Sequence, residues 1–161
     1  MRCGAGLVTL GIPKSLGIVL IKIKPKEVMI FPLPETRERA LGAEGYKKIK
    51  DFVENVDVLA VGPGLTRDPS TQALARKLIS EIDLPMVIDA DALNALVGHL
   101  KILSGRGVKV LTPHPGEMSR LIGLSVKKIQ SRRRGVAKKF AADHRVTVVL
   151  KGHHTVVADP A

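Results

Sequence analysis

Short runs of Val, Ile and Leu are the feature that most constrains how this chain can fold. They lie at 7–10, 28–31, 57–61, 86–89, 108–111 and 146–150. Four of the runs are continuous rather than alternating with polar residues, which is typical of strands buried on both faces. From about residue 44 onward the runs alternate with helical patterns. This order predicts an α/β fold with a mostly parallel sheet and helices on both faces.

The helical patterns fall between the later runs, at 42–56, 70–82 and 125–144. Asp68 and Ser125 stand where the second and third would begin, and both residue types are good N-caps. Gly135 weakens the third pattern. The first 40 residues instead predict two short strands in extended chain that is interrupted by prolines.

Length and cysteine content set further bounds. With 161 residues, we expect one domain, 1–161, with a sizeable core. No apolar run reaches the roughly 18 residues that a membrane span needs, so no membrane partner is expected. Cys3 is the only cysteine, which excludes an intramolecular disulfide and favours a cytoplasmic location.

The formal net charge of +11 favours phosphate-bearing partners, either nucleotides or nucleic acid. Aromatic residues make up only 2% of the chain, which argues against a protein that stacks single-stranded bases. The densest basic run, at 126–140, is interpreted as the solvated face of a helix. Nucleic acid is therefore an alternative partner, and binding that falls steeply with salt would support it.

Polar clusters follow four of the apolar runs. They are GPGLT at 62–66, DADALN at 89–94, TPHPGE at 112–117 and KGHHT at 151–155. Ligands of open α/β sheets bind beyond the carboxyl ends of the strands, so we expect the four clusters to share one edge. Each also has a purely structural interpretation: a turn at 62–66, a helix cap at Asp91, a core histidine at His114 and a solvated Lys151.

The KGHHT cluster lies between the run at 146–150 and a second run at 155–158, which predicts a turn between two strands. Gly152 permits close approach of a ligand, and Lys151 offers a point charge for phosphate. The candidate nucleotide-binding residues are Lys151, Gly152, His153, His154 and Thr155. We predict no metal site from the two histidines, since adjacent residues on a strand point to opposite faces.

Together the motifs AVGPGLT, VIDADALNAL, LTPHPGEMSRLIG and VVLKGHHTVVADP resemble the ADP- or ATP-dependent NAD(P)H-hydrate dehydratase family. This is the carbohydrate-kinase-like domain of nicotinamide nucleotide repair proteins. The resemblance implies a ribokinase-like fold and the return of NADH or NADPH hydrate to NADH or NADPH, with ADP or ATP and Mg²⁺.

The same resemblance implies that Gly64 and His114 contact the hydrated dinucleotide. Asp91 and Asn94 of the second motif join them as candidate substrate-binding residues. The segment 151–155 is then expected to bind the adenine nucleotide. Prolines on both sides restrict the backbone at His114 and hold it extended, so its imidazole is ordered before a ligand arrives.

Departures from the family pattern shape the remaining expectations. Family members carry a Gly-Thr-Gly-Asp stretch whose Asp is the catalytic base, and this sequence contains no such string. The resemblance places that Asp beyond the position of Ala161, and Asp159 comes too early to replace it. Family members also have an earlier strand and helix, and commonly a glycine at the position of Thr66. We therefore expect a partial domain, truncated at both ends, with weak or no turnover and no catalytic residue of its own.

Exposed sheet edges or apolar surface would follow from a partial domain, and a homo-oligomer is therefore expected. Two further alternatives remain open. One is a sugar or vitamin-precursor kinase of the ribokinase superfamily, and the other is a catalytically inactive nucleotide-binding domain.

Overall fold

A five-stranded sheet dominates the fold in this computed structural model, which describes residues 4–105 and 107–161. In spatial order its strands are β3 (Leu59–Val61), β4 (Met86–Ile88), β5 (Lys109–Leu111), β6 (Thr147–Leu150) and β7 (Val156–Ala158). The neighbours from β3 to β6 pair parallel, and β6 pairs antiparallel with β7. The predicted mostly parallel sheet is confirmed.

Burial explains why these strands are continuous apolar runs. On one face of the sheet, Ile88, Leu111 and Val148 are completely buried. The alternate residues Val87 and Val110 point to the other face and are half-buried. Both faces are therefore withdrawn from water to some degree, and no strict alternation of polar and apolar residues is needed.

Helices connect the strands. They are α1 (Gly17–Ile23), α2 (Tyr46–Val53), α3 (Pro69–Glu81), α4 (Ala90–Ala95), α5 (Pro115–Ile122), α6 (Val126–Ser131) and α7 (Arg133–His144). Short 3₁₀ helices lie at Lys14–Leu16, Ala43–Gly45 and Leu100–Ser104. Two predicted caps are confirmed. The Asp68 carboxylate accepts the Thr71 amide at 3.0 Å, and the Ser125 hydroxyl accepts the Lys128 amide at 3.3 Å.

The predicted helix at 125–144 is divided in the structure. Arg132 leaves helical geometry, with φ −138° and ψ 34°, and separates α6 from α7. The expected weak point, Gly135, lies inside α7 instead. A glycine lowers helix propensity but does not by itself end a helix, so packing of the two segments decides where the break falls.

The first 33 residues contain a helix that the sequence did not predict. β1 (Val8–Pro13) and β2 (Val28–Leu33) are the two predicted strands, paired parallel, and α1 connects them. We call residues 8–33 the N-terminal unit. Helix α1 was missed because its residues, GIVLIKI, are apolar on nearly all sides and show no amphipathic stripe.

Helix α1 also exposes its apolar side chains. Ile18 is 74% exposed, Ile21 is 62% exposed and Ile23 is 71% exposed, while Gly17 is its buried residue. This matches the expectation of exposed apolar surface. Within residues 4–105 and 107–161, no helix is long and apolar enough to cross a membrane.

Candidate functional site

The four polar clusters meet at the carboxyl ends of β3 to β6. Hydrogen bonds and an ion pair join them across the sheet. The Thr66 amide donates to Asp91 at 3.1 Å, and the Lys151 ammonium lies 2.7 Å from Asp89. The Lys151 amide donates to the Pro113 carbonyl at 2.8 Å. We call residues 62–66, 89–94, 112–117 and 151–155 the rim. The prediction that the four clusters share one edge of the sheet is confirmed.

Two glycines at the end of β3 differ in what surrounds them. Gly62 has φ +133° and packs so closely on the Asp89 carbonyl that any Cβ would clash. Gly64 has φ +77°, is exposed, and has no neighbouring atom within 4 Å of a Cβ position. Gly62 is therefore needed for packing between β3 and β4, whereas the backbone at Gly64 is open to an approaching ligand.

Asp91 holds the turn that follows. Its Oδ2 accepts the Thr66 amide, and Thr66 itself has a left-handed backbone with φ +66°. This geometry favours glycine, which is the residue that the resemblance implies at this position. The alternative that Asp91 caps a helix is wrong, because Asp89 is the N-cap of α4 and Asp91 lies in the first turn.

Asn94 extends the same network toward α5. Its Nδ2 donates to Asp91 Oδ1 at 3.0 Å, and its Oδ1 accepts from Arg120 Nε at 2.8 Å. Arg67 Nε lies 3.9 Å from Asp91 Oδ1, at the far limit of an ion pair. Asp91 and Asn94 are thus both tied to protein groups, and Arg67 and Arg120 are residues beside the rim that sequence reasoning missed.

His114 is the N-cap of α5. Its Nδ1 accepts the amides of Gly116 at 3.0 Å and Glu117 at 3.3 Å. Glu117 returns the interaction, since its Oε2 accepts the His114 amide at 2.8 Å. The backbone is extended, with φ −79° and ψ 167°, as the following Pro115 predicts. This reciprocal capping box fixes the ring in place.

The capping box also decides what the imidazole can offer to a ligand. Because Nδ1 accepts hydrogen bonds, the neutral ring carries its proton on Nε2. The side chain is 50% exposed, so the alternative of a buried core histidine is wrong. Its Nε2 lies 3.5 Å from Glu117 Oε1, and Glu117 is itself buried. The result is an ordered, half-exposed imidazole whose Nε2 donor lies beside the Glu117 carboxylate.

Lys151 pairs with Asp89 across the rim. Partial burial raises the pKa of Asp89, but hydrogen bonds from Lys151, the Ala90 amide and the Thr112 side chain outweigh it. The net pKa therefore lies below the ordinary value, and Asp89 stays ionised. Lys151 is 40% exposed, so its ammonium is not closed off from solvent by this pair. The interpretation of Lys151 as a merely solvated lysine is wrong.

The segment 151–155 is a turn between β6 and β7, as predicted. Gly152 has φ +133°, and the Thr155 hydroxyl donates to the Gly152 carbonyl at 3.0 Å. His153 and His154 lie side by side with ring centroids 3.9 Å apart, in the turn rather than on a strand. The premise that they point to opposite faces of a strand is therefore wrong. Among the described residues, no group of three or more His, Cys, Asp and Glu side chains could hold a metal ion.

The segment after β7 carries an aspartate but does not belong to the rim. The Asp159 carboxylate accepts the Ala161 amide at 3.2 Å, and both residues are exposed. Because β7 runs antiparallel to β6, its end lies at the edge of the sheet opposite the rim. Asp159 is therefore no substitute for a catalytic base at the rim. The expectation that the family's catalytic Asp lies beyond Ala161 stays a prediction.

Arg133 is the residue near the turn at 151–155 that sequence reasoning missed. Its Nη2 donates to the carbonyls of Leu150 at 2.7 Å and Lys151 at 3.1 Å. The interpretation of the basic run as a solvated helix face is wrong for this side chain. A signal was available: Arg133 stands four residues after the buried Ile129 and four before the buried Ala137, on the inward side of the helical pattern.

Comparison with known proteins agrees with the motifs and the geometry. The family model described as Carb_kinase, NAD(P)H-hydrate dehydratase, matches residues 1–161. The bifunctional NAD(P)H-hydrate repair enzyme Nnr of Moorella thermoacetica is 44% identical over 161 residues. That match covers 99% of this chain and 30% of the relative.

Solved structures of a dehydratase and of a ribokinase-like protein share the fold of this chain. The ADP/ATP-dependent NAD(P)H-hydrate dehydratase of Bacillus subtilis, co-crystallised with ATP/Mg²⁺ and soaked with CoA, is 30% identical with a TM-score of 0.74. The match covers 99% of this chain and 54% of that one. A ribokinase-like superfamily protein of Enterococcus faecalis has a TM-score of 0.76 at 25% identity, over 97% of this chain and 51% of that one. The chain therefore spans about half the length of these solved relatives.

Proposed function

The chain belongs to the NAD(P)H-hydrate dehydratase family, and on this basis we propose that its rim binds the two reactants of nicotinamide nucleotide repair. These reactants are NADH or NADPH hydrate and the Mg²⁺ complex of ADP or ATP. The observation that carries the proposal is the convergence of the four motifs, joined by the 2.7 Å contact of Lys151 with Asp89. The alternative of a sugar or vitamin-precursor kinase has less support, because the matching family is a dehydratase family.

One end of the rim suits the hydrated dinucleotide. The exposed backbone at Gly64 lets a large ligand approach closely, and His114 offers an ordered donor at Nε2. The capping box has already fixed the ring, so a ligand would gain the hydrogen bond with little ordering cost. Asp91 and Asn94 serve this end by holding the turn at Thr66 and by linking it to α5.

The other end suits the adenine nucleotide. Lys151 carries three N–H donors, and its pairing with Asp89 leaves the ammonium partly exposed to meet phosphate oxygens. Gly152 presents backbone without a side chain, and His153, His154 and Thr155 add hydrogen-bonding groups around it. Mg²⁺ would arrive on the phosphates, since this ion is usually held by nucleotide oxygens and few protein ligands.

The chemistry of the proposal is phosphoryl transfer followed by elimination. The hydroxyl of the hydrate takes the terminal phosphoryl group from ATP or ADP, which leaves as ADP or AMP. Loss of phosphate and a proton then restores the ring double bond. Such transfer depends on donors that stabilise the developing charge and on a base for the hydroxyl. The 161 residues contain no Gly-Thr-Gly-Asp string, so we expect them to bind both ligands with little turnover by themselves.

An assay with two readouts tests this proposal. Calorimetry with NADPH hydrate and with ADP plus Mg²⁺ measures binding, and recovery of absorbance by the reduced cofactor measures turnover. We expect nucleotide binding that is submillimolar to millimolar, on the order of 4 to 5 kcal/mol, with little or no turnover. Absence of both binding signals would reject the proposal. Turnover equal to that of a longer relative would reject the need for the Gly-Thr-Gly-Asp string, and the catalytically inactive alternative with it.

A further inference from the structure

We propose that Arg133 is a positioning residue for the nucleotide end of the rim. The inference rests on the proposed function, because it assigns to Arg133 the shape of the turn at 151–155 on which the adenine nucleotide would bind. Arg133 lies on α7, outside the rim motifs, and reaches the turn from behind. It acts through the turn's backbone rather than by contact with the nucleotide.

The contacts of Arg133 converge on one side of the turn. Its Nη2 donates to the carbonyls of Leu150 at 2.7 Å and Lys151 at 3.1 Å, and it approaches the His154 carbonyl at 3.4 Å. Its Nη1 donates to Gln130 Oε1 at 2.7 Å, which orients the guanidinium plane. The planar fork of arginine suits such a set of acceptors, whereas a lysine ammonium would act as a single point.

Gly152 completes this arrangement from the other side. A Cβ on Gly152 would lie 3.2 Å from Arg133 Nη1 and 3.4 Å from Nη2, tighter than ordinary contact. The left-handed φ of +133° also disfavours any side chain there. The turn and the guanidinium are therefore packed directly against each other, and the position of one sets the position of the other.

Among three consecutive arginines, Arg133 alone is turned toward the protein. Arg132 and Arg134 are exposed, whereas Arg133 is half-buried and turned inward. The break between α6 and α7 at Arg132 starts the second helix at Arg133. Arg133 Nε is buried without a hydrogen-bond partner among the described residues. Such a desolvated nitrogen has a cost that a merely solvated arginine avoids.

Arg133 would influence phosphate binding through charge as well as through the shape of the turn. Carbonyl oxygens repel an anion. The carbonyls of Lys151 and His154 in the turn, and that of Leu150 at the end of β6, accept hydrogen bonds from the Arg133 cation. The same contacts fix the backbone on which the Lys151 ammonium is mounted. Without the guanidinium, binding would have to order the turn as well as hold the phosphate, and this lowers affinity.

A matched pair of variants tests the proposal in the full 161-residue chain. Arg133→Gln removes the fork, and Arg134→Gln makes the same charge change at an exposed neighbour. The first readout, without ligand, is hydrogen exchange of the Lys151 amide, which is bonded to the Pro113 carbonyl. The second is the affinity for ADP with Mg²⁺, followed by amide shifts. For Arg133→Gln we expect exchange to be faster and ADP binding to be weaker by about 10-fold, as for loss of one charged hydrogen bond.

A rescue experiment separates positioning from general destabilisation. Millimolar guanidinium ion added to Arg133→Ala should restore part of the ADP affinity, and the same addition to Arg134→Ala should change nothing. Affinity for NADPH at the His114 end should be unaffected by either variant. Should Arg133→Gln and Arg133→Ala fail to fold, Gln130→Ala removes the acceptor that orients the guanidinium from outside the rim. This variant should also speed Lys151 amide exchange and weaken ADP binding, and unchanged values of both would overturn the inference.

The possible outcomes separate failure of the proposed nucleotide site from failure of the proposed role of Arg133. If the unmodified chain binds no ADP, the nucleotide end of the proposed function fails and this inference falls with it. If the unmodified chain binds ADP and Arg133→Gln binds it equally well, the inference alone is overturned. Faster exchange with unchanged ADP affinity would make Arg133 a structural residue only, and that result also overturns the inference.

Discussion

The five-stranded sheet and the N-terminal unit are both built from Val, Ile and Leu, but they treat these residues differently. Ile88 and Leu111 in the sheet are completely buried, whereas Ile18 and Ile21 in α1 are 74% and 62% exposed. The sheet has helices and loops packed on it, and its carboxyl edge carries the rim. The N-terminal unit has two strands, a short 3₁₀ helix and α1, and the outer side of α1 has no covering among the described residues.

This difference separates a region whose apolar residues are buried beneath the rim from one whose apolar residues face solvent. The rim needs fixed strand ends, because ligand-binding side chains must hold their geometry to within a fraction of an ångström. Large exposed apolar surface instead marks a site of association or aggregation. The same kind of substitution should therefore destabilise the fold strongly in the sheet and weakly in α1.

The largest expected effect comes from truncating one buried and one exposed aliphatic residue. Leu111→Ala opens a cavity beneath the rim and should lower the free energy of unfolding by about 3 kcal/mol. Ile21→Ala removes a side chain that is 62% exposed and should change it by less than about 0.5 kcal/mol. Urea denaturation followed by circular dichroism measures both. Equal losses would contradict the contrast between the two regions.

The next effect separates the two tasks of His114. His114→Ala removes both the imidazole and the cap of α5, which should cost about 1 kcal/mol of stability and abolish the proposed hydrogen bond to the dinucleotide. His114→Asn keeps a good N-cap and removes only the imidazole. We expect calorimetry to show weaker NADPH binding in both variants, with loss of stability in the alanine variant alone. Unchanged binding in the asparagine variant would remove His114 from the ligand site.

Self-association of the chain tests the role of the exposed apolar residues in the N-terminal unit. We propose that copies of the chain associate through the exposed face of α1, as its apolar residues lead us to expect. Light scattering over a range of concentrations should show assemblies, and Ile18→Glu combined with Ile21→Glu should reduce them. Val87→Ala, a half-buried residue of β4, is the control and should leave association unchanged. A chain that stays monomeric at high concentration would count against the proposal.

The smallest expected effect is the acid dependence of the rim. Partial burial raises the pKa of Asp89, but the hydrogen bonds from Lys151, Ala90 and Thr112 prevail and leave it below the ordinary 3.8. A carboxyl with a lowered pKa in the folded state stabilises the fold at neutral pH, and this contribution is lost as the pH falls through the folded pKa.

Denaturation from neutral pH down to about pH 3 should therefore show a loss of stability that Asp89→Asn makes shallower. Asp51→Asn, an exposed residue of α2, is the same chemical change away from Lys151. Identical pH profiles for the two variants would mean that the contact between Asp89 and Lys151 contributes nothing.

The sequence predicted the strands of the sheet because burial on two faces leaves a continuous apolar run that can be read directly. It also predicted that the polar clusters share one edge, since parallel strands must end together. Helix α1 was not predicted because a short, mostly apolar helix and a buried strand have similar composition. Its exposure belongs to tertiary packing, which no local pattern of residues records.

The rim contacts were harder to predict than the rim residues. The pairing of Lys151 with Asp89 joins positions 62 residues apart, and only the register of β4 to β6 brings them together. The roles of Asp91 and Asn94 within one network likewise depend on Thr66 and Arg120 from other elements. Arg133 could have been found from its helical spacing, but its acceptors on the turn could not.

The most direct test of the central claim is an amide-shift map of the 161-residue chain, recorded separately with NADPH hydrate and with ADP plus Mg²⁺. We expect the dinucleotide to move signals at 62–66 and 112–117, and ADP to move signals at 151–155, with both sets persisting at about 0.15 M salt. Shifts that instead cluster on the exposed basic residues of α6 and α7, and that disappear as salt is added, would contradict the claim. Such shifts would indicate that these basic residues bind anions non-specifically through electrostatic attraction.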